Sequence, residues 1–257
     1  LTVKDAYLLS ATGISGTVNA QVISKYHTVY VPGEATENTS GFRYSNQVSS
    51  VANWNYDQAA MKLMNFDTTS DVTKADAVAG ASALEADAKT AVQNGLPYIG
   101  YGSRATVDVV PGAKRTTLSG AMDCLTPVVY PNESLVNASY IADNDGILYG
   151  YGLGYFSAIP ENATILVASD PTRTPTEGFI PTNTEERAAG YAAYCNGSVQ
   201  AFAYTEDGMD VVLFANSLTN KVQQRDDYAY ISNFLFSTVL SEETYTTANT
   251  HPAEAYV

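Results

Sequence analysis

The chain has 257 residues, of which 13 are basic and 27 acidic, so its formal net charge is −14. A surface this acidic repels phosphate backbones, so we expect no nucleic-acid partner. No apolar run approaches the ~20 residues that a membrane-spanning helix needs. Tyrosine is frequent, with 19 residues, and lysine is scarce, a composition that suits a secreted protein. The chain begins at Leu1, which we interpret as the start of a mature protein or of an excised domain.

The first elements follow from local patterns. Residues 1–25 are rich in Thr, Ser and Gly, and we expect a lead-in that is either an edge strand or a linker remnant. Residues 26–31 alternate apolar and polar side chains, which predicts a strand. Residues 54–64 place apolar side chains on one side of a helix, and residues 66–71 predict a short strand.

A strand–helix–strand unit comes next, and we treat it as the centre of the fold. Residues 76–81 form a small apolar strand, and Ser82 with Glu85 has the spacing of a helix capping box. Gly95 then ends the helix, and residues 97–101 form a second apolar strand. So short a connection between two strands predicts a parallel unit with a right-handed crossover.

The turn after this second strand is where we expect a functional site, because ligands bind beyond the carboxyl ends of parallel strands. The turn is formed by Gly100, Tyr101, Gly102, Ser103 and Arg104. It contains no cysteine, and we call it the elbow.

The second half predicts more strands than helices. Residues 124–163 are too long for a single loop and should carry β structure of their own, and residues 171–181 form a surface loop. A final helix begins at Asp226 and Asp227 and runs to Val239. The predicted strands cover residues 106–110, 117–118, 163–168, 188–194, 198–204 and 210–215. The pattern predicts an α/β domain over residues 26–240, with a mainly parallel sheet, an added β portion in its second half and a polar tail at 241–257.

Four segments carry a family resemblance. They are "DAVAGAS" at 76–82, "NGLPYIGYG" at 94–102, "ERAAGYAAYCNGSVQAFAY" at 186–204 and "GMDVVLFANS" at 208–217. In this order they resemble the class I glutamine amidotransferase-like superfamily, which has a flavodoxin-like sheet. More narrowly, they resemble the amidotransferase-like domain found at the C-terminal end of secreted zinc carboxypeptidases of the carboxypeptidase A/T type.

The catalytic residues of that superfamily have no counterpart here. Active members carry a cysteine at the elbow and a nearby histidine that lowers its pKa. That position falls on Gly102, or on Tyr101 or Ser103 after a shift of one residue. Neither His27 nor His251 follows a late strand, so the resemblance implies a domain that does not hydrolyse amides.

The resemblance therefore implies a non-catalytic accessory domain with a structural or substrate-recruiting role. Its expected partners are the peptidase domain of the same polypeptide and a peptide or cell-wall polymer. No cofactor is expected in this segment, and zinc would lie only in the parent peptidase domain.

Two other functions stay open on the residues themselves. Tyr149, Tyr151, Tyr155 and Phe156 are separated by glycines, and such rings either line a groove for carbohydrate or peptide or pack inward from a Gly-rich strand. A hydrolase would instead use Ser103 as its nucleophile, or a cysteine.

Cys124 and Cys195 form either a disulfide or two buried free thiols. The remaining motifs favour ordinary structure. His251 and Glu254 match the H-x-x-E zinc pair as a bare string, but a zinc centre needs a further protein ligand. Residues 143–146 favour a turn over a calcium loop, and Glu34 favours a surface loop. We therefore predict no metal site in this chain.

Overall fold

The structure is a computed structural model that describes residues 16–23, 27–33, 56–102, 105, 107–141, 146–222 and 225–247. The predictions that concern Glu34, Ser103, Arg104, His251 and Glu254 lie outside the described residues, as does that for the turn at 143–145.

The described residues form strands and helices in alternation in the first half and mostly strands in the second. The helices are α1 (Tyr56–Leu63), α2 (Ala86–Gln93), α3 (Glu185–Cys195) and α4 (Tyr228–Ser237). The strands are β1 (Gly16–Ile23), β2 (Thr28–Tyr30), β3 (Asp67–Thr69), β4 (Ala77–Gly80), β5 (Tyr98–Tyr101), β6 (Lys114–Thr117), β7 (Cys124–Val129), β8 (Ile147–Gly150), β9 (Gly154–Ala158), β10 (Thr164–Ser169), β11 (Thr176–Gly178), β12 (Val199–Tyr204), β13 (Val211–Phe214) and β14 (Leu240–Thr247). None of the helices in the described ranges combines the length and hydrophobicity that crossing a membrane would require.

Parallel strands form one half of the main sheet, in the order β3-β2-β4-β5-β13. Counted along the chain, this is the order 2-1-3-4-5 of flavodoxin-like proteins. The prediction of a parallel unit from β4 through α2 to β5 is confirmed, and so is the α/β fold class. In this order the topological switch point lies between β2 and β4.

The other half of the sheet is antiparallel. β12 pairs with β13 and continues through β10 and β7 to the edge strand β11, while β6, β8 and β9 attach beside this path. This is the added β portion predicted for the second half. β1 pairs antiparallel with β14, from Gly16 opposite Thr247 to Ile23 opposite Leu240. Parts of the predicted lead-in and polar tail thus form a two-stranded sheet.

Two apolar layers bury the parallel half on both faces. Successive residues of β5 point to opposite layers, since Ile99 packs with Met61 of α1 and Phe234 of α4, whereas Tyr98 packs with Val92 of α2. All four residues of β4, of β5 and of β13 are buried, as expected for parallel strands covered by helices on both sides.

Three local predictions are wrong. The capping box at Ser82 is wrong because α2 begins at Ala86 with Glu85 as its N-cap residue, and no side chain caps it. Residues 106–110 contain a short 3₁₀-helix instead of a strand. Residues 188–194 belong to helix α3, whose start is fixed by the Thr184 hydroxyl, which accepts a hydrogen bond from the Arg187 amide at 3.3 Å.

The stop at Gly95 is confirmed. Its φ of +102° is a conformation that a Cβ would resist, and its amide donates to the Val92 carbonyl at 3.0 Å. The chain can therefore leave α2 and enter β5 within a few residues.

Two glycines give a matched test of packing in the β portion. A Cβ at Gly154 would lie 2.4 Å from the Thr116 carbonyl oxygen on the neighbouring strand, whereas a Cβ at Gly190 in α3 would meet nothing within 4 Å. We expect Gly154→Ala to lower the free energy of unfolding by about 1–3 kcal/mol through overpacking. Gly190→Ala should raise it by about 0.5–1 kcal/mol, because alanine favours the helix.

Urea denaturation followed by circular dichroism measures both changes. Equal stabilities of the two variants would contradict the packing of β6 against β9.

Candidate functional site

The candidate site lies at the carboxyl ends of the parallel strands. Here the turn after β4 packs tightly against the end of β2. A Cβ at Gly80 would lie 2.9 Å from Pro32 Cδ and 3.1 Å from Asp57 Oδ2, and one at Gly33 would lie 3.1 Å from Ser82 Oγ. The switch point between β2 and β4 is thus filled by the protein's own atoms.

The elbow follows β5, as predicted, but it leaves little space for a nucleophile. Gly100 and Tyr101 are the last residues of β5. Gly102 has a φ of +86°, and its amide donates to the Phe214 carbonyl at 3.2 Å. A Cβ at Gly102 would lie 3.3 Å from the Cβ of Ser217. At the position where the resemblance places a cysteine, a side chain would therefore press against the loop after β13.

Asp57 is the central polar group of this edge. It is only 4% exposed, and its Oδ2 accepts a hydrogen bond from the Ala81 amide at 2.8 Å. The Thr219 hydroxyl donates to Oδ1. Burial raises the pKa of the Asp57 carboxyl, while the hydrogen bonds from Ala81, Thr219 and Tyr101 oppose that rise.

Two further polar atoms are buried at the same edge without a hydrogen-bond partner among the described residues, the Tyr228 hydroxyl and Asp227 Oδ2. The Tyr101 hydroxyl lies close to Asp57. The charge of Asp57 raises the pKa of both Tyr101 and Tyr228, and the charge of Asp227 also raises that of Tyr228. The three atoms therefore belong to one cluster with Asp57, which we call the Asp57 cluster. Each unsatisfied buried group costs about 1–3 kcal/mol, and such groups mark sites with a role besides folding.

Burial raises the pKa of each ionisable group of the Asp57 cluster, which disfavours the charged forms. Burial, reinforced by the neighbouring Asp226, holds the pKa of Asp227 well above its usual range, although a backbone hydrogen bond from Tyr149 lowers it. Burial raises the pKa of Tyr228 to about 12. Because a phenolate or a carboxylate is the nucleophilic form, these shifts disfavour covalent attack by the cluster.

Neither histidine nor cysteine of the described part contributes to this edge. His27 precedes β2 and so lies at the amino ends of the strands, where its ring nitrogen Nε2 contacts the Leu235 carbonyl and the Thr238 hydroxyl. Cys124 is buried and Cys195 is partly exposed at the end of α3, and both are free thiols. The predicted disulfide is thus not formed, which leaves the other predicted state, two free thiols.

Both thiols are poor nucleophiles in this setting. They belong to one apolar cluster with Leu118, Leu153 and Tyr194, and burial raises the pKa of each. Because the thiolate is the reactive form, a raised pKa lowers the reactivity of a cysteine.

The predicted aromatic groove does not form as one surface. Tyr149 and Phe156 are buried, with 8% and 4% of their surfaces exposed, while Tyr151 is 44% exposed. Phe156 packs edge-on against Phe202 with the ring centres 4.8 Å apart, and Tyr155 packs against the cysteine cluster. The inward-packing alternative therefore describes most of these rings, and only Tyr151 faces solvent.

Sequence patterns did not reveal the Asp57 cluster. The sequence pattern predicts a helix start at Asp227 but gives Asp57 no particular role, and nothing local links the two residues. The one available signal is the position of Asp57 in α1, one turn before the buried residues Ala60 and Met61. An acid on the buried side of a helix needs a partner from elsewhere in the fold. Among the described residues, no three His, Cys, Asp or Glu side chains converge to hold a metal ion.

Comparisons with known proteins add only distant likenesses. No family model and no curated protein sequence matches the chain. Among solved structures, it is similar to a protein from Thermoplasma acidophilum described as a candidate GMP synthase component, with 12% identity, a TM-score of 0.49 and coverage of 83% of this chain and 94% of that one. A cytoplasmic protein from Salmonella typhimurium has 12% identity, a TM-score of 0.45 and coverage of 83% and 99%. A ThuA-like protein from Bacteroides uniformis has 10% identity, a TM-score of 0.41 and coverage of 82% and 88%. Likenesses this distant assign no function, and the strand order itself defines the fold.

The raised pKa of Asp227 predicts a pH dependence of stability. An acid whose folded pKa lies above its unfolded value stabilises the fold at low pH, and this contribution is lost as pH rises from about 4 toward the folded pKa. We expect Asp227→Asn to remove that loss. The variant should therefore gain at least about 1 kcal/mol relative to wild type between pH 4 and pH 7.

Chemical denaturation at several pH values measures this difference. Asp67→Asn, which changes an exposed acid of β3, is the control. Its free energy of unfolding should change with pH in parallel with that of wild type. An Asp227→Asn curve that also runs parallel would show that Asp227 is ionised in the folded protein.

Proposed function

We propose that this chain is a non-catalytic amidotransferase-like domain and acts as an accessory domain of a secreted zinc metallocarboxypeptidase. Its role there is structural or substrate-recruiting. The observation that carries the non-catalytic part is the elbow. Gly102 directly follows β5 with a positive φ, and it lies against Ser217 at the position where the resemblance would place a reactive side chain.

The surroundings of the elbow support the same proposal. Asp57, the acid that interacts with Tyr101, already accepts hydrogen bonds from Ala81 and Thr219. His27 lies at the opposite edge of the sheet, and the thiols lie in the cluster around Tyr194. A cysteine–histidine pair must be within hydrogen-bond reach to act, and the described residues supply no such pair here.

The link to a peptidase rests on the resemblance of the four sequence segments. In such a parent, a zinc-activated water would remove C-terminal residues from peptides, and the peptidase domain of the same polypeptide would be the partner of this one. Secretion is consistent with the scarcity of lysine and with the frequent tyrosine. Zinc would belong to the parent peptidase domain, and the present domain would position that peptidase domain or recruit its substrate.

A second candidate is an independent binding module for carbohydrate or peptide. The observation that favours it is Tyr151, which is 44% exposed at the edge where flavodoxin-like folds bind ligands. Its carbonyl accepts a hydrogen bond from the Ser217 amide at 3.1 Å, and its phenol interacts with Tyr56, the neighbour of Asp57. An exposed aromatic ring of this kind can pack against a sugar ring or an apolar side chain. The hydrolase alternative depends on Ser103 and stays a prediction.

The lack of catalysis can be tested directly. We expect the purified chain to release no ammonia from glutamine in a coupled assay. Gly102→Cys should also be inactive, because the thiol would have no imidazole beside it. The variant should lose about 1–2 kcal/mol of stability, since residue 102 has a positive φ. Sustained ammonia release by wild type that Ser103→Ala abolishes would establish the hydrolase instead.

The peptidase link needs the natural polypeptide that contains this chain. Purified intact, it should bind zinc and release C-terminal residues from peptides, with activity lost on chelation and restored by zinc. A natural polypeptide with neither zinc nor exopeptidase activity would refute the accessory role.

A further inference from the structure

An open cleft lies on the added β portion, away from the elbow. It has a volume of about 430 Å³ and is lined by residues 179–183, by Gly120 and by Arg187. We call it the Phe179 cleft. Its size falls within the range of ~300–1,000 Å³ that is usual for small-ligand sites.

Arg187 is the charged group of the Phe179 cleft, and its position is unfavourable for the helix that carries it. It lies in the first turn of α3, where the helix dipole favours negative charge and disfavours a cation. Glu185 and Glu186 share this turn, yet among the described residues no carboxylate forms an ion pair with Arg187. A local rule broken without compensation points to a role in function.

The guanidinium of Arg187 has one hydrogen-bond partner and lies close to Gly120. Its Nη1 donates to Asn183 Oδ1 at 2.9 Å. A Cβ at Gly120 would come within 3.3 Å of its Nη2, so the glycine leaves room for the guanidinium. A guanidinium with no acidic partner among the described residues is suited to a carboxylate, which it can bind through two parallel hydrogen bonds.

Apolar surface adjoins this cation. Phe179 and Met122 are 56% and 59% exposed, and the Met122 amide donates to the Phe179 carbonyl at 2.7 Å. The backbone hydrogen bond thus places two exposed apolar side chains on neighbouring segments, and Phe179 of these lines the cleft. The cleft thus offers an anion site next to an aromatic side chain.

An edge strand leads into the cleft. β11 (Thr176–Gly178) is exposed throughout and pairs only with β7 among the described strands. A Cβ at Gly178 would lie 1.6 Å from the Asp123 carbonyl oxygen, so glycine is required where β11 turns toward Phe179. Glu177 and Gly178 have positive φ values of +56° and +92°, so this short, irregular edge can contact a peptide through single main-chain groups but does not pair with it as a further strand.

We propose that the Phe179 cleft binds the carboxyl-terminal residue of an extended peptide, with the terminal carboxylate on Arg187 and an apolar side chain against Phe179. This inference deepens the recruiting role proposed above and rests on it for its biological meaning. The binding itself is a property of this chain and can be measured without the parent peptidase.

Fluorescence polarisation with the 257-residue chain tests the proposal. The probe is the fluorescein-labelled pentapeptide Gly-Ser-Gly-Ala-Phe, made with a free carboxylate and with a C-terminal amide. We expect the acid to bind at least about tenfold more tightly than the amide, because only the acid forms the charged pair with Arg187. Arg187→Gln should abolish this difference, and Phe179→Ala should weaken both forms.

Lys62→Gln, which removes an exposed positive charge from α1, is the matched control and should leave both affinities unchanged. Circular dichroism shows that each variant is folded. Equal binding of acid and amide, no binding up to about 1 mM, or an equal loss in Lys62→Gln would overturn the proposal. If the chain binds the peptide but its natural polypeptide lacks zinc, this inference stands and the accessory role is refuted. If the natural polypeptide is a zinc peptidase but the chain does not bind the peptide, the accessory role stands and this inference is refuted.

Discussion

The hydrogen bonds of Asp57 hold together the edge of the sheet on which any function at the elbow depends. Its carboxyl joins α1 to the turn after β4, 24 residues away, and to Thr219 after β13, 162 residues away. These segments meet only because the strand order places β4 beside β5 and β5 beside β13. A buried carboxyl is costly unless it is hydrogen-bonded, so the position of α1 and the ends of two parallel strands depend on one another.

This junction also determines what the elbow can do. With Asp57, Pro32 and Ser82 filling the switch point, the carboxyl edge is occupied by the protein's own side chains. Gly102 lies directly against Ser217, in the loop after β13. The groups left with unsatisfied hydrogen bonds are Asp227 and Tyr228, beside Tyr101, and these are weak nucleophiles in neutral form. An edge that is catalytic in some flavodoxin-like folds is therefore closed by the protein's own side chains in this one.

Local signals explain which parts of the fold could be predicted from the sequence. Buried strands such as β5 and β13 are short apolar runs, and Gly95 marks the end of α2, so the parallel unit can be predicted from the sequence. Helix α3 was mistaken for a strand because Tyr191 and Tyr194 interrupt its alanines, although alanine favours helix and Thr184 caps it. The Asp57 cluster was not predictable, since its members contact one another only through the tertiary fold.

The arginines of the β portion show how differently one residue type is used in an acidic chain. Arg115 is partly buried and donates to the carbonyls of Ala215 and Gly152, which connects β6 to the loops at the end of β13 and after β8. Arg173 pairs with Asp170 at 2.7 Å. Both arginines are bound within the fold and stabilise it. Arg187 donates to Asn183 Oδ1 and forms no ion pair among the described residues, and it lies near the exposed Phe179 at a helix end that disfavours its charge. In a protein with net charge −14, a cation so placed is better explained by a ligand than by stability.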